Sequence, residues 1–548
     1  MLRLLVCGLA LVFFQSVVAM ADAPRGSVYV PLDSWVYPAF DRLAALGVIN
    51  KQFVLLRPWT RIQCAQLVLD AEENMLDTPD AAGDALGLYD ALNREFRVEL
   101  AAINGDRVRQ AGVESAYTRV LGITGTPLRD GYNFGQTIAN DFGRPFNTGL
   151  NNVSGFSAQA SRGRFFAYFR GEYQHSPAYA GLTAAQQAYV AQLDGTPSAP
   201  YSQAAGAVNR FDLLDTYVGM HLSLFEVTFG KQSLWWGPGT MGGMLYSDNA
   251  DPVTMLRVDQ TEPIVLPGIL QYIGPIRVQA FIGRLAGNQF PRAPYMHGEK
   301  ITFKPSRNIE IGVSRTTEAF GGGIPITLRN LFATYFSVSD ICCTANPHGF
   351  PGKRQGGLDV TYRVPYLRKW LTVYSDNFSE DDVNPVANPS RAMISPGLYI
   401  SQLPHLRKFD VRAEGANTRH QEPAYTSFFY KLAYTNKGFL LGNAVGKRAS
   451  AFDISTTYWR SPRTRVQVGW HEHAASHVQI PSGGSQNAVR VKADWLVQHD
   501  MELSLFFQHE LWVFPFLAPR PQSDNVFSIQ FTAYPKKLWS RTALPPSD

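Results

Sequence analysis

From about Glu114 onward, apolar and polar residues alternate with a period of two. In the segment from Arg162 to Gln174, Phe165, Ala167, Phe169 and Tyr173 alternate with Arg164, Tyr168, Arg170, Glu172 and Gln174. The pattern returns at Ile309 to Arg315, Leu358 to Val364, Phe452 to Tyr458, Val489 to Gln498 and Phe527 to Ala533. Successive side chains of a strand point to opposite faces, so each segment predicts a strand with one apolar and one polar face. Residues 28 to about 108 instead show helical spacing. Leu32 and Asp33 precede a first helix with Phe40, Leu43 and Leu46 on one face and Gly47 as its stop. Thr60 and Gln63 have capping-box spacing ahead of Ile62, Ala65, Val68 and Leu69. Leu88, Leu92, Phe96, Leu100 and Ile103 form the stripe of a third helix. These apolar faces predict a small helical core.

So many long strands without a shared repeat argue against a propeller. A soluble sandwich also alternates, but it turns its polar face outward. Long polar or Pro/Gly-rich insertions separate the strands: Pro177 to Asn209, Phe320 to Pro325, Ser339 to Gly356, Ser379 to Pro396 and His477 to Asn487. Outer-membrane barrels have such long outer loops and short periplasmic turns. Aromatic residues make up 12% and charged residues 17% of the chain, yet the mean hydropathy is only −0.13. That combination suits strands with one lipid face and one wet face. No stretch beyond the N-terminus has the ~20 apolar residues a membrane helix needs, so a membrane protein here has to be a barrel.

The first residues predict a secretory signal, with Arg3, the apolar run Leu4 to Phe14, and Ala19-Met20-Ala21 as a cleavage site after Ala21. Cys7 lies inside the apolar run, too early for a lipoprotein cysteine. Beyond the last strand, Lys536, Lys537 and Trp539 lead into a Pro-rich tail ending at Asp548. The expected division is therefore a signal peptide over 1–21, a helical periplasmic domain over 28–110, a barrel over 114–536 and a tail over 537–548. The net charge of +5 is mild for 548 residues and makes no case for nucleic acid. Cys64 reads as a small buried residue of the helical region, and Cys342 and Cys343 are adjacent in a loop. The cysteines have no metal-ligand spacing, His471 and His473 lack the His-Glu-x-x-His motif of a helical metal site, and no cofactor is expected.

The chain is organised around Leu224 to Pro252. Its first part alternates, with Phe225, Val227 and Phe229 against Glu226, Thr228 and Gly230. Trp235 and Trp236 then meet Gly237-Pro238-Gly239, which cannot easily continue a ladder, and the polar cluster Ser247, Asp248, Asn249 and Asp251 follows. Gly230-Lys231-Gln232-Ser233, Trp235-Trp236-Gly237-Pro238 and Ser247-Asp248-Asn249-Ala250-Asp251-Pro252 resemble the signature region of the Wzi-type capsule-assembly family. The resemblance implies an outer-membrane β-barrel of about eighteen antiparallel strands, with helices at the periplasmic end, that holds capsular or surface polysaccharide. It also implies a non-enzymatic role, with polysaccharide and outer-membrane lipid as partners. Residues 30 to 71, through Val30-Pro31, Trp35, Phe40-Asp41-Arg42-Leu43, Leu46-Gly47-Val48-Ile49 and Thr60-Arg61, resemble a single S-layer-homology module. That second likeness implies contact with peptidoglycan; a plain helical bundle below the barrel explains the same residues.

Trp235 and Trp236 offer flat apolar faces on which sugar rings stack, and Asp248, Asn249 and Asp251 offer polar partners for hydroxyls. Paired tryptophans at a strand end serve equally as an interfacial aromatic girdle. Arg162, Arg164 and Arg170 share one predicted face with Glu172; they either attract an acidic polymer or brace the lumen as ion pairs. Gly237 to Gly242 formally matches a dinucleotide fingerprint, but no βαβ unit surrounds it. His471 and His473 share a strand face and read as lumen polarity. No nucleophile elbow is present. A diffusion porin or transporter remains the alternative to a polysaccharide-binding barrel.

Overall fold

A computed structural model describes residues 26–77, 79–106, 109–336, 352–380, 391–419, 424–432, 434–498 and 500–535. The expected signal peptide, Cys342, Cys343 and the tail beyond Lys536 lie outside the described residues. Eighteen barrel strands follow one another along the chain. The first six are β1 (Arg109–Gly125), β2 (Gly149–Arg162), β3 (Phe165–Ser176), β4 (in two pieces, Val208–Leu213 and Thr216–Leu222), β5 (Phe225–Gln232) and β6 (Val253–Gln260). Next come β7 (Pro275–Arg284), β8 (Tyr295–Ser306), β9 (Ile309–Ala319), β10 (Lys353–Arg363), β11 (Leu371–Glu380) and β12 (Met393–Ile400). The last six are β13 (Phe409–Asn417), β14 (Ala449–Ser461), β15 (Thr464–Ala475), β16 (Gly484–Gln498), β17 (Met501–Val513) and β18 (Gln522–Ala533).

Each strand pairs antiparallel with its sequence neighbours, and β1 pairs with both β2 and β18, so the sheet closes on itself. Closure removes every sheet edge, the condition for placing a sheet in hydrocarbon. Connections alternate between short turns at one end, such as Gly163–Arg164, and long loops at the other, such as 126–148, 177–207, 233–252 and 418–448. The first strand starts at Arg109, ahead of the clear alternation that begins near Glu114.

The two faces of the wall are opposite in character. Val218, Phe229, Leu256, Ile301, Val489, Trp495 and Phe527 are exposed on the outside. Arg257, Arg277, Lys300, Glu310 and Asp359 are buried inside. A soluble sandwich has the reverse arrangement; apolar-out and polar-in suits a barrel surrounded by lipid.

Among the described residues, four helices sit at the short-turn end: α1 (Val36–Ala45), α2 (Arg61–Asp77), α3 (Pro79–Glu95) and α4 (Arg97–Ile103). Gly47 ends α1 as expected, its N–H and that of Val48 bonding back to Ala44 and Leu43. The Thr60–Gln63 capping box forms in both directions, at 2.9 and 3.1 Å. Phe40, Leu43, Val48, Trp59, Cys64, Val68, Leu92 and Phe96 fill the core, which also packs against Trp459 of β14. The stripe from Leu88 to Ile103 breaks into two helices at Phe96. The break has an electrostatic reason. Arg61 takes the Glu95 carbonyl as well as the Glu95 and Glu99 carboxylates, at 2.6 to 3.1 Å, so the chain turns around the guanidinium.

This helical region does not simply sit below the barrel. Residues 49–57 rise into the lumen. Val54 and Leu55 N–H groups donate to the buried Glu310 carboxylate at 2.9 and 3.1 Å. Lys304 Nζ donates to the Asn50 carbonyl at 2.9 Å, and Arg363 donates to that of Ile49 at 2.6 Å. Leu56 and Arg57 then form a short antiparallel ladder with Trp236 and Trp235 of the loop descending from the other end.

Replacing Glu310 with Ala leaves two buried backbone N–H groups without an acceptor, each costing roughly 1–3 kcal/mol. The expected result is a barrel that still forms but loses about 2–6 kcal/mol of stability, with residues 26–106 cleaved faster in limited proteolysis. Unchanged proteolysis and thermal unfolding would show that the carboxylate does not anchor the segment.

Candidate functional site

The loop 233–252 leaves β5 and folds down into the lumen instead of standing outward. Trp236 N–H donates to the Tyr246 carbonyl at 2.9 Å, and Gly237 N–H to that of Leu55 at 3.2 Å. Gly237 has a φ of +141°, and a Cβ there would lie 2.6 Å from Asp376 Oδ2. Only glycine meets both conditions. Trp236 is buried among Tyr246 and Phe281, with its Nε1 donating to Gln279 Oε1 at 2.7 Å. It stands level with the middle of β7, far from any lipid interface, so neither tryptophan belongs to an aromatic girdle.

Wall carboxylates hold the rest of the loop. Glu414 accepts from Thr240 and Met241 N–H groups at 2.7 to 3.0 Å, and Asp376 accepts from Met244 N–H at 2.7 Å. The polar cluster ties three loops together. Ser247 bonds to the backbone of Leu441 and Gly442. Asn249 Oδ1 accepts from Gln136 and from the Asn140 N–H at 3.1 Å, while its Nδ2 donates to the Leu440 carbonyl at 3.2 Å. Asp251 meets Lys231 at 2.9 Å and Lys437 at 3.0 Å. Burial raises the Asp251 carboxyl above its usual range, and the two lysines oppose that rise.

Beside this plug a polar cavity of about 620 Å³ remains, between the helical end and the infolded loops. Its wall comes from β1 and β12 to β18. Arg465 pairs with Asp494 at 3.0 Å and Arg490 with Asp453 at 3.2 Å, and His471 faces Asp453 at 3.5 Å. Trp35, Trp459, Phe506 and Tyr399 supply aromatic surface. From the loops, Trp235, Asp248 and Asn140 complete the lining. Trp235 Nε1, Asp248 Oδ1 and Asn140 Oδ1 are buried without a protein hydrogen-bond partner. Burial pushes the Asp248 carboxyl well above its usual range, which favours its neutral form. Aromatic rings, paired charges and polar side chains lining one cavity are the chemistry that takes a polyhydroxyl ligand.

The eight candidate residues therefore separate. Trp235 and Asp248 line the cavity, whereas Trp236, Asn249 and Asp251 are internal fasteners. Arg170 braces the wall against the helical region, donating to Asp33 at 3.0 and 2.6 Å and to Tyr117 at 3.1 Å. Arg162 and Arg164 do not share its face. The chain reverses at Gly163 with φ +61°, so Arg162 ends β2, Arg164 lies in the turn, and both are exposed. The alternation assigned to one strand spans two. Sequence reasoning did not gather Asp453, Arg465, His471, Arg490 and Lys492 into one site. The signal present was their place on polar strand faces; closure of the sheet brings them together.

A family model described as "Capsule assembly protein Wzi" matches residues 119–526. An "uncharacterized 55.8 kDa protein in cps region" of Klebsiella pneumoniae is 27% identical over 180 residues, 32% of this chain. The match spans about a third of that relative's length (34%). Among solved structures, the chain resembles Wzi of Escherichia coli, described as an outer membrane protein involved in group 1 capsule assembly and a carbohydrate-binding β-barrel. The TM-score is 0.67 at 16% identity, covering 93% of this chain and 99% of that one. OccD3 of Pseudomonas aeruginosa matches with a TM-score of 0.43 at 10% identity, over 78% of this chain and 93% of that one.

The two adjacent tryptophans are expected to behave differently. Trp236→Ala should cost about 3–5 kcal/mol by emptying a packed aromatic site. Trp235→Phe keeps one aromatic ring facing the lumen and removes the pyrrole half of the indole, whose N–H has no protein partner, so the loss should be smaller, about 1–2 kcal/mol. Thermal unfolding of both variants in detergent checks this, and equal losses would contradict the assignment.

Proposed function

The chain belongs to the Wzi capsule-assembly family, and from that premise we propose that it resides in the outer membrane and binds capsular or surface polysaccharide, organising or retaining it at the cell surface. The observation that carries this reading is the lumen itself. It is occupied by the Leu56–Arg57 and Trp235–Trp236 ladder and by loop 233–252, while a cavity of about 620 Å³ lined by aromatic rings and by polar and charged side chains lies beside them. Such a lumen suits binding better than passage. It disfavours a diffusion porin, which needs a continuous open path. We read the protein as a binder and not an enzyme: the cavity's charges are mostly paired with one another, and its aromatic and polar lining suits sugar rings and hydroxyls. Each contact is weak, and the repeats of a polymer supply avidity. In this reading the short-turn end and helices α1 to α4 face the periplasm, where the helices are the surface available to peptidoglycan.

Deleting the gene in the native host is expected to shift surface polysaccharide from the cell-bound to the released fraction. Wild-type protein should restore retention, and the Trp235→Phe, Asp248→Ala double variant should restore it only partly at equal barrel abundance. An unchanged distribution on deletion would remove retention as the role. In planar bilayers the purified barrel should show no steady conductance; a stable open pore would favour the porin.

A further inference from the structure

On the outside of the barrel, at the short-turn end of β1 to β6, lies an apolar groove of about 1390 Å³. The register gives its construction. Ala111, Ala160, Ala167 and Val218 stand side by side across β1 to β4, followed by Phe229 and Leu256 on β5 and β6. The row nearer the turns runs Arg109, Arg162, Phe165, Met220 and Val227. Phe165, Val218 and Phe229 are each at least 60% exposed, so this is a free apolar surface with a hollow between its rings.

Arg109 and Arg162 cap one end of the groove as directly opposed cross-strand partners. Like charges at opposed positions repel. Many arginines that face the lumen are paired, as Arg119 with Asp141 and Arg490 with Asp453. Among the described residues neither Arg109 nor Arg162 has an ion pair or a side-chain hydrogen bond, and both are exposed. Two exposed guanidinium groups without an ion pair among the described residues, at the edge of an apolar hollow, call for an anion joined to a hydrocarbon chain. Guanidinium donors match the oxygens of a phosphate in particular.

We propose that this groove is a binding site for a glycerophospholipid, with its phosphodiester between Arg109 and Arg162 and an acyl chain over Ala111, Ala160 and Ala167 against Phe165 and Phe229. The proposal rests on the reading above, that the barrel sits in the outer membrane with its short turns toward the periplasm, because that places the arginines at the level of the inner-leaflet headgroups. The site would fix the barrel's depth in the bilayer beside the strands that lead into loop 233–252.

The test is native mass spectrometry of the full-length barrel extracted in mild detergent. The wild type should retain one glycerophospholipid. An Arg109→Gln, Arg162→Gln variant should lose it at least about tenfold more readily, since each surface cation adds about a kcal/mol toward an anionic headgroup. An Ala160→Leu, Ala167→Leu variant fills the hollow with both arginines intact and should lose it as well. After delipidation, phosphatidylglycerol should rebind, whereas diacylglycerol without a phosphate should rebind at least tenfold more weakly. Equal retention by the double-arginine variant, equal binding of diacylglycerol, or retention of a lipid A molecule instead would overturn the proposal. Flotation with phospholipid vesicles and heat-modifiable gel migration separate the two failures. A folded barrel that floats without retaining lipid refutes only the groove. A barrel that does not float at all refutes the membrane reading with it.

Discussion

The structure depends on a single requirement: a polar lumen wall must find partners without being left as an open channel. The two-residue ladder between Leu56–Arg57 and Trp235–Trp236 meets it at mid-height. It joins a segment rising from the helical end to a loop descending from the far end. Once joined, the two bring their backbone N–H groups to carboxylates buried in the wall. Glu310 receives Val54 and Leu55, Asp376 receives Met244, and Glu414 receives Thr240 and Met241. Buried carboxylates of this kind are costly alone and stable when fully bonded.

The plug fills the lumen unevenly. It packs tightly toward the strands that carry Phe281, Met296, Phe378 and Met393, where Trp236, Met244, Leu245 and Tyr246 share an apolar core. On the other side, toward β13 to β18, wall charges pair laterally with each other and leave the cavity between them. The same fold thus builds a rigid half that specifies the loop conformation and a polar half with groups to offer. Trp235 and Trp236, adjacent in sequence, mark the boundary. One indole N–H is spent on Gln279 inside the core; the other is buried without a protein partner in a residue that lines the cavity.

The outer surface follows a different logic. Most of it is an apolar band with few specific features, as lipid requires. The arginine pair at the edge of the groove is an exception to the lateral charge pairing seen inside the lumen, and it is readable only because the register places Arg109 opposite Arg162. A strand end and a strand start, more than fifty positions apart, become neighbours through pairing alone.

The period-two pattern determined that the wall is a sheet with unlike faces, and the helical spacing determined α1 and the start of α2 down to the Thr60–Gln63 box and the stop at Gly47. These are local rules, satisfied by residues within a turn or a rung of one another. The dense run from Trp235 to Asp251 also marked, from sequence alone, the segment on which the molecule is organised. Tertiary structure decided what each of its residues does. Nothing local distinguishes Trp235 from Trp236, or Asp248 from Asn249 and Asp251; their roles depend on which of the loops 126–148 and 418–448, and which wall carboxylates, lie within bonding distance. A single glycine reversal at position 163 moved Arg162 and Arg164 off the face of Arg170. The cavity itself draws on strands separated by hundreds of residues, because closing a sheet turns sequence-distant polar faces toward one axis, and no spacing along the chain records that meeting.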